Sequence, residues 1–215
     1  MSNMKKILLG LTALFLFLGV VPAAIHKPLA WEKHNPKRSR WSEHVREQIY
    51  RNFETLDRAH DMDLFCPNYY NLNRDERVDV WSQLIAAMSW FESGWNKKAR
   101  FPEPRLGIDP VTSRMVHSEG LLQLGYADTM WRSYCDFDWT QDIQFEDDDF
   151  RKTIFDPYLN LTCGIGILTS QIKKYERIVI KQGAYWAVIK KDHRNQKIAG
   201  IRKIITEWDM CKIKK

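Results

Sequence analysis

No internal repeat runs through the 215 residues, which excludes solenoid and propeller arrays. None of the cysteine spacings resembles a zinc site, and the acidic stretches lack the ligand order of an EF-hand loop. No metal and no organic cofactor is expected. A nucleic-acid-binding motif is also missing, and a formal charge of +6 is too mild to imply such a partner. Cysteine is sparse, at four, and none follows the N-terminal apolar run, which argues against a bacterial lipoprotein anchor.

That run, Ile7 to Val21, is uncharged, follows Lys5 and Lys6, and ends in the small-residue sites of Val21-Pro22-Ala23-Ala24. Residues 1–24 therefore read as a signal peptide, too short to favour a membrane span. Export to the periplasm or beyond the cell follows, with no stable membrane insertion once the signal is removed. Losing Lys5 and Lys6 leaves a charge of +4, compatible with an anionic wall polymer or simply with solubility. In an exported chain, Cys66, Cys135, Cys163 and Cys211 suggest two disulfides. Three connectivities are open. The nested one, Cys135–Cys163 inside Cys66–Cys211, is the expectation, with free buried thiols as the alternative.

At 44% hydrophobic, the chain can build one real core, and a monomer is expected. Nine Trp and eight Tyr suit either a carbohydrate groove or plain packing. Residues 25–40 are basic and aperiodic, and read as a mobile linker; the domain is expected over 41–215. Val45, Ile49, Phe53 and Leu56 mark an amphipathic helix over Ser42–His60, followed by a loop over Asp61–Leu72. Asn73 and Glu76 form a capping box, opening a helix that ends at Gly94. Prolines then break the pattern, with a short hairpin expected from Val111-Thr112 and Met115-Val116 around Ser113-Arg114. A further helix is expected from Ser118 or Gly120 to Tyr134, and a solvated acidic loop over Asp136–Asp156. Asp156-Pro157 opens a helix to Tyr175, and two more are expected near Gln182–Lys191 and Ile198–Ile205. Asn160-Leu161-Thr162 is a weak glycosylation sequon because it falls on a helix.

Within the helix before Gly94, Trp81, Ile85, Met88 and Glu92 share one face. Glu92 thus extends an apolar stripe, and desolvation favours the protonated form that a general acid needs. By itself this is a weak signal. It gains weight from Ser118-Glu119-Gly120-Leu121-Leu122-Gln123, which follows across the proline-rich segment, and from Asp156-Pro157 through Asn160-Leu161 to Gly164.

In this ordered set the chain resembles the lytic transglycosylase (SLT) family, related to goose-type lysozymes within the lysozyme-like superfamily. That family carries an E-S pair at a helix end, an A/S-x-G-L-M-Q motif, and a D-P-x-x-N-(I/L)-x-x-G helix. The resemblance covers roughly 78–171, with Leu122 at the Met position. It implies a mainly α (α+β lysozyme-like) fold, a helical domain with a short β-hairpin beside the cleft. It also implies cleavage of the β-1,4 bond between N-acetylmuramic acid and N-acetylglucosamine in peptidoglycan glycan strands. Glu92 would be the acid and then the base, releasing a 1,6-anhydro end in a transglycosylase or activating water in a lysozyme.

Carried over residue by residue, Ser93 would orient Glu92 or touch sugar. Gly120 would admit backbone to the cleft, and Gln123 would face sugar hydroxyls. Ser118 would cap a helix or contact substrate, while Leu121 and Leu122 would be core. The family's A-Y-N-x-G motif survives only as Ala184-Tyr185-Trp186, which keeps Tyr185 as a cleft residue but loses Asn and Gly. Asp109 and Glu119 are the possible second carboxylates, although Glu119 is expected to face solvent. Two other classes compete: a non-catalytic glycan-binding wall protein, and a hydrolase of a related polymer such as deacetylated peptidoglycan, chitin or chitosan.

Overall fold

The computed structural model describes residues 26–213, so the expected signal peptide lies outside the described residues. The stretch expected to be a linker is folded instead. Ala30–His34 forms α1, and Leu29 and Trp31 are fully buried. The Trp31 indole donates to Ser42 Oγ at 2.7 Å, and Ala30 N–H donates to Gln83 Oε1 at 2.9 Å. Two apolar anchors are enough to dock a segment whose composition looks disordered, because burial of each large side chain contributes about 1.5–3 kcal/mol.

Ser39–Leu56 forms α2, which buries the expected Val45, Ile49, Phe53 and Leu56 stripe. The next segment is irregular apart from 3-10 turns, and its Cys66 is bonded to Cys211. Arg74–Ser93 forms α3, opened by the reciprocal Asn73–Glu76 box with both bonds at 3.0 Å. It ends at Gly94, which takes the left-handed conformation (φ 61°) that closes a helix at little steric cost. Every residue from Val78 to Ser89 is buried. The apolar stripe is therefore an understatement, since α3 is enclosed on all sides as the central helix.

Arg100–Pro102 (β1) and His117–Glu119 (β2) pair antiparallel, with Phe101 opposite Ser118. The hairpin thus lies outside the expected pairing of Val111-Thr112 with Met115-Val116. Inside it, Ile108 bridges Met115, and the tip is folded by Asp109, whose Oδ1 accepts from Val111 N at 2.8 Å and Thr112 N at 3.0 Å.

The helix expected from Ser118 or Gly120 to Tyr134 is replaced by a tight loop, helical only over Asp128–Trp131 (α4). Gly120 (φ 78°) and Gln123 (φ 52°) sit in the left-handed region, and Glu119 and Leu124 exchange both backbone bonds. Asn160 supplies the alternative partners. Its Oδ1 accepts from Leu122 N at 2.9 Å, and its Nδ2 donates to Glu119 O and Ile154 O. Backbone groups that a helix would pair are paired by one side chain. Asn160 is fully buried, which rules out its glycosylation.

The acidic stretch contains a short helix, Trp139–Asp142 (α5), and is not wholly solvated. Asp142 is fully buried and accepts from Tyr126 Oη at 2.7 Å and from Thr153 N. Pro157–Tyr175 forms α6, with Asp156 accepting from Tyr158 N and Leu159 N at its start. Over Gln182–Lys191 only a 3-10 turn at Ala187–Ile189 is present, because Trp186 turns inward and its indole donates to Leu122 O at 2.7 Å. Ile198–Ile205 forms α7 as expected.

In three dimensions α2 packs on α6 and on α3, and α7 packs on α3 as well. Among the described residues the fold is mainly helical with one small two-stranded sheet, as the resemblance implies. Cys135 is bonded to Cys163, tying the loop before α5 to α6, so both expected disulfides are present. No described helix is long and apolar enough to cross a membrane.

Candidate active site

Glu92 occupies the last turn of α3, where the enclosed helix emerges into a cleft of about 750 Å³. One wall is the β-hairpin loop, with Phe101, Glu103, Leu106 and Ile108. The other comes from Gln123, Asp128, Tyr185 and Trp186. The Glu92 side chain is largely buried, and its Oε1 is fully buried with no hydrogen-bond partner among the described residues. An ionised carboxylate there would lose hydration without compensation. Burial, reinforced by the negative charge of Glu103, pushes its pKa from 4.5 to about 7. Glu92 is thus an acid that keeps its proton near neutrality, poised to give it up or take it back.

Of the other expected residues, Ser118, Gln123, Tyr185 and Asp109 line the same cleft. Ser118 lies on β2 and caps no helix; its hydroxyl donates to Glu103 Oε1 at 3.1 Å. Gln123 is nearly buried, and its Nε2 donates to Gly120 O at 2.8 Å. Tyr185 is not bonded to Glu92. Its hydroxyl donates to Asp128 Oδ2 at 2.6 Å, and burial with the nearby Asp128 charge raises its pKa well above 10. The phenol therefore stays protonated and rigidly aimed. Asp109 has both oxygens engaged by backbone, Oδ1 as above and Oδ2 by Ala127 N at 3.0 Å. It folds the loop and is unsuited to act as a second carboxylate.

Three of the expected residues lie outside the cleft lining. Ser93 donates to Ser89 O at 2.9 Å, a bond within α3 that leaves Glu92 untouched. Gly120 does not line the cleft; a Cβ there would meet the Asn160 amide and the Ile154 carbonyl, so close internal packing requires the glycine. Glu119 neither faces solvent nor reaches the cleft. It is buried behind the sheet, where Arg100 Nε lies at 3.0 Å and the nearly buried Lys152 Nζ at 3.6 Å. Burial raises its pKa, while the Lys152 and Arg100 charges oppose that rise.

Glu103 and Asp128 were not singled out from sequence. Glu103 lies in the proline-containing stretch that reads only as a helix breaker, yet β-pairing turns it to face Glu92's cleft. Asp128 is nearly buried and receives Tyr185 Oη, Gly125 N at 3.0 Å and Arg132 Nη1 at 2.7 Å. Among the described residues no group of three His, Cys, Asp or Glu side chains is placed to hold a metal ion.

Against known proteins, the chain is similar to the solved structure of Bd0314 DslA wild-type form 2. The two are 27% identical over 86% of this chain and 98% of that chain, with a TM-score of 0.66. Two mutants of Bd0314 DslA, each with a glutamate replaced by glutamine, match at 27% identity and TM-scores of 0.65 and 0.66. Each of these covers 86% of this chain and 97% of that chain. No curated protein matches. Residues 70–207 match the Transglycosylase SLT domain family. That span holds α3 with Glu92, the β-hairpin, the Gly120–Gln123 loop and α6, and the chain belongs to this family.

Proposed function

We propose that this protein cleaves the β-1,4 bond between N-acetylmuramic acid and N-acetylglucosamine in peptidoglycan, with Glu92 as general acid and then base. The observation that carries the reading is the buried, unpartnered Glu92 Oε1 at the floor of the cleft, with a pKa raised to about 7. A purely glycan-binding protein gains nothing from a desolvated acid, which costs stability whenever it ionises. Glu92 protonates the glycosidic oxygen as the bond from C1 breaks, and the resulting carboxylate accepts a proton from the attacking hydroxyl. Attack by the muramic 6-hydroxyl gives an anhydro end; attack by water gives a reducing end. The exposed Phe101, Leu106 and Ile108 on the hairpin wall offer apolar faces to sugar rings. Peptidoglycan lies outside the cytoplasm, and the two disulfides suit an exported protein.

The water outcome, a muramidase, is the second reading, and Glu103 favours it. A second carboxylate facing the cleft can receive a proton from water, as two-carboxylate glycosidases do. The two glutamates replaced in the Bd0314 DslA mutants lie eleven positions apart, the same spacing as Glu92 and Glu103. The test is to incubate wild type and Glu92→Gln with purified peptidoglycan and weigh the soluble fragments by mass spectrometry. Anhydro-muropeptides identify a transglycosylase, and fragments one water heavier a muramidase. The variant is expected to lose at least about a hundredfold in rate. Equal release by both proteins, or none from either, refutes the reading.

A further inference from the structure

A second concavity, of about 410 Å³, lies around the end of α3, rimmed by Gly94 and lined by Asn35, Lys37, Arg38, Trp41, Asn96 and Lys97. Gly94 is two residues past Glu92, so their Cα atoms are at most about 7.6 Å apart. Four of these seven residues lie before the family-matched region, between the end of α1 and the first turn of α2. The lining contains three cations and no carboxylate, and none of the three is in an ion pair among the described residues.

The uncharged groups point the same way. Asn35 Oδ1 accepts from Lys37 N at 3.1 Å and Asn96 Oδ1 from Lys98 N at 3.0 Å, which leaves both amide NH₂ groups as donors. Arg38 is held in place by Trp41 and Trp95, whose ring centroids lie 5.2 and 5.8 Å from its guanidinium carbon. Only Nη2 has a protein acceptor among the described residues, Trp95 O at 3.2 Å. The remaining guanidinium N–H groups are available in a fixed fork suited to a carboxylate. Every polar side chain of this surface therefore offers donors, and its charge is wholly positive.

We propose that this pocket binds the carboxylate-bearing peptide branches of the polymer while the glycan occupies the Glu92 cleft, an inference that rests on the peptidoglycan reading above. Peptidoglycan differs from chitin-like glycans in carrying such branches, so the pocket would select peptide-bearing strands near the bond to be cut. Binding would weaken with salt, as contacts to exposed cations do.

The experiment measures binding by calorimetry, using Glu92→Gln protein so that no cleavage intervenes. The probes are a disaccharide tetrapeptide, the same compound with its carboxylates amidated, and the peptide-free disaccharide with its lactyl carboxyl group amidated. The acidic probe is expected to bind at least about tenfold more tightly than either carboxylate-free one, and Lys37→Glu/Lys97→Glu is expected to abolish that difference. Equal affinity of the acidic and amidated probes overturns the proposal without reference to any variant, as does an unchanged preference in a correctly folded Lys37→Glu/Lys97→Glu protein. Peptidoglycan cleavage by wild type is scored separately. Selective acidic binding without cleavage would sink the catalytic reading alone, whereas cleavage without acidic preference would sink only the pocket.

Discussion

Replacing Glu92 by Gln is expected to remove activity and to stabilise the folded protein at alkaline pH. In the unfolded chain Glu92 ionises at its ordinary value of 4.5, whereas in the fold burial and Glu103 hold the proton to about pH 7. Below pH 4.5 both states carry the proton, so the site has no pH-dependent cost. Above pH 7 neither does, and the folded state bears the full penalty of an ionised carboxylate with one oxygen buried and unpartnered. The difference between 4.5 and about 7 corresponds to about 3 kcal/mol. Wild-type stability should therefore fall by that amount across this window through Glu92 alone. Gln has nearly the shape of the protonated acid and cannot ionise. Urea titrations of both proteins from pH 4 to 8 should give similar stabilities at the acid end, with the variant ahead by about 3 kcal/mol at the alkaline end. A stability difference that does not change with pH would mean that Glu92 titrates normally, and the desolvated-acid argument would fall.

Two further outcomes follow from named contacts. Because the Glu103 charge helps to raise the Glu92 pKa, Glu103→Gln should move the alkaline limb of the kcat/KM profile to lower pH, measured on whatever activity remains; an unmoved limb would show that the two carboxylates do not interact. Asn160→Ala should cost at least about 3 kcal/mol, since Leu122 N, Glu119 O and Ile154 O each lose a partner in a buried site. A loss below about 1 kcal/mol in urea denaturation would refute the role given to Asn160 in shaping the Gln123 loop.

Where the sequence misled, the competing interaction is identifiable. Ser118 to Gln123 opens with serine and carries leucines, a fair helix start by local signals, yet Asn160 lies 38 residues beyond Leu122 and pairs its N–H instead. Glu119 looked like a surface charge because its partners, Arg100 and Lys152, are 19 and 33 positions away in sequence. The segment before α2 looked disordered because two buried apolar residues, Leu29 and Trp31, are too few to produce a period. Tyr185 lines the cleft, but its hydroxyl belongs to Asp128, which no motif marked.

What local patterning decided is substantial. The α2 stripe, the Asn73–Glu76 box, the Gly94 stop, α6 from its Asp-Pro start and α7 are all set by interactions within a few residues, which sequence order records directly. The placement of Glu92 at the end of an apolar helix is of the same kind, so the catalytic candidate could be named from residues alone. Its environment could not. Whether that carboxylate is dry, which second carboxylate faces it, and which cations surround the neighbouring pocket depend on chain segments that meet only on folding. Desolvation and Coulomb interactions act through space. Only the tertiary structure brings Glu103, Asp128 and Arg38 around the end of α3.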